Sequence, residues 1–163
     1  MKEFHIESNP SSVSDSEITV LLNRAYVEGG FTSPERAAST FVPSAVRKRG
    51  ETICARTSEG ALAGMVIVVR PDAPARRMAE PDEAEIHLLA VDPQYQGIGL
   101  GRLLMTKALE SIKDMGLRKT VLWTQPTMIP AHRLYESLGF TRAAARDPVF
   151  DEVHFLAYVK NGS

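Results

Sequence analysis

Cysteine is almost missing from this 163-residue sequence. Cys54 is the only one, so neither an intramolecular disulfide nor a cysteine-based metal cluster can form, and the sequence suits a reducing compartment, with the cytoplasm as the expectation. Long hydrophobic runs are missing as well. The opening Met-Lys-Glu-Phe-His-Ile-Glu lacks the apolar stretch of a signal peptide, and no run approaches the roughly 20 apolar residues of a membrane span, which argues against secretion and membrane insertion. Neither sign of charge is in excess: 19 Lys+Arg stand against 20 Asp+Glu, so the basic footprint of a nucleic-acid binder is absent. Aromatic residues make up only 7%. No internal repeat, low-complexity tract or convincing interdomain linker breaks the chain, and no His/Cys/Asp/Glu grouping has metal-ligand spacing. What remains, 44% apolar and 24% charged residues, is the composition of an ordinary globular protein. A chain of roughly 150 residues buries about 68–70% of its unfolded surface, so one domain over residues 1–163 is expected.

Hydrophobic periodicity divides that domain. Residues 2–7 alternate Phe4 and Ile6 with polar neighbours, as a half-buried strand does. Ser14-Asp15-Ser16-Glu17 can cap a helix whose apolar positions, Ile18, Leu21, Leu22, Ala25 and Tyr26, recur at helical spacing up to Gly29-Gly30. A second helical stretch spans roughly 33–49. Residues 52–57 and 61–70 read as a hairpin turning at Ser58-Glu59-Gly60, and Met65-Val66-Ile67-Val68-Val69, apolar on both faces, as a central strand. Residues 71–81 read as a mobile loop. A strand over 84–91 is ended by Asp92-Pro93, and a helix carries Leu103, Leu104, Ala108, Leu109, Ile112 and Met115 on one stripe before Gly116 stops it. A strand at 120–124, a short helix at 131–138 and two strands near 140–145 and 152–159 complete an α/β chain. Hairpins combined with one crossover imply a mixed sheet packed by helices. The basic run Arg47-Lys48-Arg49 and the acidic cluster Glu80, Asp82, Glu83, Glu85 read as solvated loops, although the cluster could also attract a cationic amine.

The chemistry concentrates between Glu85 and Met115, in a strand, a proline turn, three glycines and a helix. Gly97, Gly99 and Gly101 let the backbone approach a ligand closely. Their amides, with the free amides and positive dipole end of the following helix, make an anion site suited to phosphate. The spacing is not that of a P-loop, since no Lys-Ser or Lys-Thr follows. Nor is it GxGxxG, since position 102 is Arg.

Gln96-Gly97-Ile98-Gly99-Leu100-Gly101 has the form Q/R-x-x-G-x-G/A. With Leu89-Ala90-Val91 before it and Arg133-Leu134-Tyr135-Glu136-Ser137-Leu138-Gly139-Phe140 after it, the chain resembles the GNAT superfamily of N-acetyltransferases over residues 51–159. The N-terminal third matches only in its strand-helix-helix order. The resemblance implies a single-domain α/β fold: a mixed, mostly antiparallel sheet of six to seven strands flanked by about four helices, with a coenzyme A-binding core at about 84–140. It implies acetyl-coenzyme A (acetyl-CoA) as co-substrate, no metal, and homodimers as a common form among similar proteins. Amides from Gly97 through Arg102, that is Gly97, Ile98, Gly99, Leu100, Gly101 and Arg102, would hold the pyrophosphate, with Gln96 opening the motif. Leu89, Ala90 and Val91 would follow the pantetheine arm, and Ala131 and Tyr135 would border it. The Val91 amide would face the thioester carbonyl, where a preorganised donor to a developing oxyanion is worth on the order of 2.7–4 kcal/mol.

Tyr135 matches the family's usual general acid, able to protonate the departing thiolate. An attacking amine is protonated at neutral pH, so a proton acceptor is needed. Glu85 matches the glutamate that lysine-modifying members carry six residues before this valine. His87, on the same strand face, could serve instead or relay through water, and solvent is a third route. Where the family commonly has Asn, this chain has Met128, so a polar contact to the cofactor arm becomes apolar. Trp123 reads as core and Cys54 as a small buried hydrophobe outside the mechanism. The implied activity is direct transfer of an acetyl group to a primary amine, a small molecule rather than a protein lysine or N-terminus, with no acyl-enzyme. A non-catalytic acyl-CoA sensor or interaction module is the alternative.

Overall fold

The computed structural model describes residues 3–162. Strand β1 (Phe4–Ser8) overlaps the expected 2–7 region and runs one residue past it, Lys2 lying outside the described residues. Helix α1 (Asp15–Leu22) starts as its sequence indicates: Ser14 Oγ accepts from the Glu17 amide at 3.1 Å, and the Glu17 carboxylate accepts from the Ser14 amide at 3.0 Å. The α-helical turn does not continue to Gly29. It widens into a π-helical segment, Asn23–Val27.

The stretch expected as one helix over 33–49 is two, α2 (Pro34–Thr40) and α3 (Pro43–Arg47). Pro43 explains the break. A residue before proline is pushed out of the helical region, and Val42 is extended with φ −68° and ψ 114°.

The hairpin β2 (Glu51–Thr57) and β3 (Leu62–Val69), the strand β4 (Glu83–Val91), the helix α4 (Leu100–Asp114), β5 (Lys119–Thr124) and α5 (Ile129–Ser137) follow as the sequence suggests. The C-terminal part differs. Only Thr141–Arg142 form β6, Val149–Phe150 (β7) and Val153–His154 (β8) make a separate hairpin, and β9 (Leu156–Asn161) returns to the main sheet. Asp151 and Glu152, with φ of 49° and 67°, form a tight left-handed turn that folds residues 149–154 on themselves.

The seven-stranded sheet has the order β1-β2-β3-β4-β5-β9-β6. All neighbours are antiparallel except β4 and β5, which α4 joins as a parallel crossover. The sheet carries a core on each face, and β3 shows why an uninterrupted apolar run is required there. Val66 and Val68 face the layer with Leu104, Met105, Ala108 and Ile112 of α4, whereas Met65, Ile67 and Val69 face Ile18, Leu21, Leu22 and Val46 of α1 and α3.

The 71–81 segment is tethered rather than mobile. The amides of Arg77, Met78 and Ala79 donate to the Glu85 carboxylate, and Arg146 donates to both oxygens of Glu83 and to the Met78 carbonyl. The charge clusters are solvated only in part: Lys48, Glu80 and Asp82 are exposed, whereas Glu83 and Glu85 are buried. Asp82 pairs with Lys119 at 3.1 Å, Glu83 with Arg146 at 2.7 Å, and Arg47 with Asp15 at 3.1 Å, so little of the acidic cluster is left to attract a cation.

Leu104 has no exposed surface and sits against the one place where β3 carries a glycine: a Cβ on Gly64 would lie 2.9 Å from Leu104 Cδ1. Truncation there cannot be filled by a side chain from β3. Leu104→Ala is expected to lower unfolding free energy in urea titration by roughly 2–5 kcal/mol, and a loss below about 1 kcal/mol would contradict this packing.

Candidate active site

The site is built on a strand that loses its partner. β4 and β5 pair only through Glu83↔Lys119, Ala84↔Thr120 and Glu85↔Val121, after which β4 continues to Val91 alone on that edge. A bulge bends it: the β3 register shifts between Met65↔Ala90 and Ile67↔His87, and Leu88 adopts φ 50°. The Asp92 amide donates to the Ala63 carbonyl on β3 at 2.8 Å, so strand alternation turns the Val91 amide to the opposite, open side. The carbonyls on that side are taken: Tyr26 Oη donates to Leu89 O at 2.9 Å and Gln96 Nε2 to Val91 O at 3.0 Å.

A cleft of about 940 Å³ fills the gap. Its floor is β4 from Ile86 to Val91, one end is the glycine loop, and α5 with β5 makes the far wall. Gly97 and Gly99 have φ of 78° and 91°, with open space where a Cβ would be. They are glycines for conformation, not for lack of room. Gly99 also caps α4 without any side-chain partner, which leaves the first-turn amides, including those of Gly101 and Arg102, as free donors. Arg102 itself donates to Ser137 Oγ at 2.6 Å, tying α4 to α5. Of the cofactor residues named from sequence, Leu89, Ala90, Val91, Gln96, Gly97, Gly99, Leu100, Gly101, Arg102, Ala131 and Tyr135 line the cleft, and Ile98 points away, 54% exposed. Met128 is in the wall and receives a long contact from Thr124 Oγ1 at 3.7 Å.

Tyr135 is buried between the rings of Phe140 and Tyr158. Its hydroxyl has no hydrogen-bond partner among the described residues, and burial raises its pKa well above the ordinary phenol value, so it holds its proton.

His87 lines the cleft and Glu85 does not: the Glu85 side chain has no exposed surface. Its carboxylate accepts from three backbone amides and from His87 Nε2. Glu85 therefore meets the cleft through His87 rather than directly. Burial pushes its pKa upward most strongly, but the bonds from His87 and the amides outweigh this and hold it below the usual glutamate value. His87 is held below the ordinary imidazole value, chiefly by burial, with the Glu85 carboxylate pulling the other way and Arg49 and Arg77 adding to the depression. The tautomer follows from the neighbours. Arg49 Nη1 lies 3.3 Å from His87 Nδ1 and can only donate, so Nδ1 is the acceptor and Nε2 carries the hydrogen given to Glu85.

Three features escape a reading of local pattern. Tyr26 looks like one more apolar residue on a helix stripe, but the π-helical segment turns its hydroxyl onto β4. Trp123 lines the cleft, with its ring 4.8 Å from His87 and 5.0 Å from Phe150. Arg49 and Arg77, from a basic run and a presumed loop, lie in the same wall. No sequence spacing links these residues. By contrast Cys54 is buried in the opposite core, with its thiol pushed up to about 11 by burial.

Comparison with known proteins accords with this geometry. Mycothiol acetyltransferase of Thermomonospora curvata is 48% identical over 60 residues, a stretch that is 37% of this chain and only 20% of that relative's length. A GNAT-family acetyltransferase from Staphylococcus aureus Mu50 superposes with a TM-score of 0.78 at 17% identity, over 98% of this chain and 99% of the other. An acetyltransferase of Bacillus subtilis in complex with CoA gives 0.68 at 21% identity, over 98% and 99% of the two chains. At these identities the structures establish the fold. The model of the acetyltransferase (GNAT) family matches residues 16–140, and the chain belongs to that family.

Proposed function

We propose that this chain is an acetyl-CoA-dependent N-acetyltransferase, working as one domain, that moves an acetyl group directly to a primary amine. The observation that carries the reading is the continuous cleft from the glycine loop, along the unpaired edge of β4, to His87, with the Tyr135 hydroxyl in its wall. The B. subtilis protein with a similar fold was crystallised with CoA, and the curated relatives are named for acetyl transfer.

The residues fit the co-substrate: glycine-loop and α4 amides face one end as anion donors, and the Val91 amide faces the interior. His87 Nδ1, freed from its weak bond to Arg49, takes the proton of the incoming ammonium, directly or through one water. Glu85 accepts the Nε2 hydrogen and stabilises the resulting imidazolium, so it is a positioning residue. The neutral amine attacks the thioester carbonyl carbon; a C–N bond forms, the C–S bond breaks, Tyr135 gives its proton to the thiolate, the excess proton on the new amide nitrogen restores the Tyr135 phenol, and the His87 imidazolium releases its proton to solvent. Cys54, buried elsewhere, takes no part.

Three outcomes check this reading. In thermal shift, acetyl-CoA and CoA should stabilise the protein, by about 2.7 kcal/mol at 100 times the dissociation constant, while ATP and NAD should not; no shift with either CoA ligand would sink the assignment. Tyr135→Phe should lower kcat by roughly 10²-fold or more while leaving CoA affinity nearly intact. Unchanged turnover would remove the phenol from the reaction. The acid limb of the kcat/KM profile should lie below the ordinary imidazole range, because only neutral His87 accepts a proton and burial favours that form. Glu85→Gln removes the group that pulls the His87 pKa upward, so the limb should move to still lower pH; a stationary limb would mean that the pair does not move the proton. CoA binding without thiol release across a broad amine panel would instead identify an acyl-CoA-binding module.

A further inference from the structure

Resting on the transferase reading, the acceptor end of the cleft points to a substrate class. The lining of the cleft includes three guanidinium side chains, Arg36 from α2, Arg49 from the turn before β2 and Arg77 from the 71–81 segment, and of these Arg49 and Arg77 lie within electrostatic reach of each other. None of the three forms an ion pair among the described residues. Arg49 is the most telling. It is partly buried, and its hydrogen-bonding partners are the His87 ring nitrogen and the Thr40 carbonyl at 3.2 Å, neither of them an anion. Burial and the nearby Arg77 both disfavour its charge. The nearest fixed carboxylate, Glu85, is saturated by three amides and His87. Asp151 also lines this end, on the exposed β7–β8 turn, and pairs with none of the arginines.

Arg49, partly buried, and the exposed Arg77 bring two positive charges near the single buried carboxylate of Glu85, which leaves this wall net positive and favourable to an added anion that their planar forks can bind in two-point fashion. The surrounding surface is aromatic: the Trp123 ring packs on Phe150, and the Arg77 guanidinium lies 3.7 Å over the Phe150 ring. An occupant thus meets cationic forks on one side and flat apolar rings on the other.

We propose that the acceptor is a small amine bearing its own carboxylate, an α-amino acid with an apolar or aromatic side chain, whose carboxylate is held by Arg49 and Arg77 while its ammonium faces His87. This reverses the selection that an acidic entrance would impose. Polyamines and aminoglycosides, which bring only positive charge, should be poor substrates.

The test uses matched acceptors differing only in the anionic group: L-phenylalanine with phenethylamine, L-leucine with isoamylamine, and phosphoethanolamine with ethanolamine, each read as thiol release from acetyl-CoA. The carboxylate member should win by at least about 10-fold in kcat/KM. In Arg77→Gln and Arg49→Gln that preference should collapse toward unity. The ratio within each pair cancels any effect of Arg49 on His87, so it reports carboxylate recognition rather than proton transfer. Equal rates within the pairs, a preference for the plain amines, a preference shown only by the phosphate pair, or no acetylation of any carboxylate member would each overturn the proposal. Retained CoA stabilisation in those cases leaves the transferase reading standing; its loss brings down both.

Discussion

The carboxylate of Glu85 is the interaction on which the rest of the site depends. Glu85 occupies the last position at which β4 still pairs with β5, opposite Val121. A buried charge there is tolerable only because it is fully satisfied, and the partners that satisfy it are the parts of the site. Three amides bring the 71–81 segment, and with it Arg77, against the sheet; the His87 ring is fixed in one tautomer and presented to the cleft. A residue without an acceptor oxygen at position 85 would release a loop, an imidazole and a guanidinium together.

A second constraint is geometric. A parallel pair held by only three register positions opens immediately above Glu85, and the Leu88 bulge tilts the free end of β4 so that Val91 and the glycine loop face the same space. The sheet is continuous below the gap and again through β9, so the opening is a local fault in an otherwise regular layer. The groups proposed for the reaction then come from different elements: the imidazole from β4, the phenol from α5 and the anion donors from the start of α4.

Much of this was legible in the residues because it is locally encoded. Gly97 and Gly99 signal left-handed backbone, Pro43 and Gly116 mark helix boundaries, and the run Met65–Val69 requires a layer on both faces. Glu85 and His87 were paired by strand alternation alone. What stayed hidden is whatever depends on chain segments far apart in sequence. That Arg49 and Arg77 share a wall follows from the turn before β2 and the 71–81 segment both approaching β4. The π-helical turn that redirects Tyr26 has no pattern distinct from an α-helix, and the setting of Trp123 depends on the hairpin at 149–154, where Phe150 falls between the two strands that the sequence suggests. That Glu85 has no exposed surface is likewise hidden, since burial is a property of the assembled sheet.

The strand pairing also constrains the order of folding. β1 pairs with β2 across a span that holds α1, the π-helical turn, α2 and α3, with Phe4 opposite Thr57. That whole excursion supplies Tyr26, Arg36, Phe41 and Arg49 to the cleft. Closing so long a loop is entropically slow relative to zipping the β2–β3 hairpin. The half of the molecule around the glycine loop, built from β3, β4 and α4, can therefore assemble while the opposite wall of the cleft is still unmade. A nascent chain would form the glycine-loop end first, and sequence drift in the N-terminal excursion would reshape one wall of the cleft with little effect on the other.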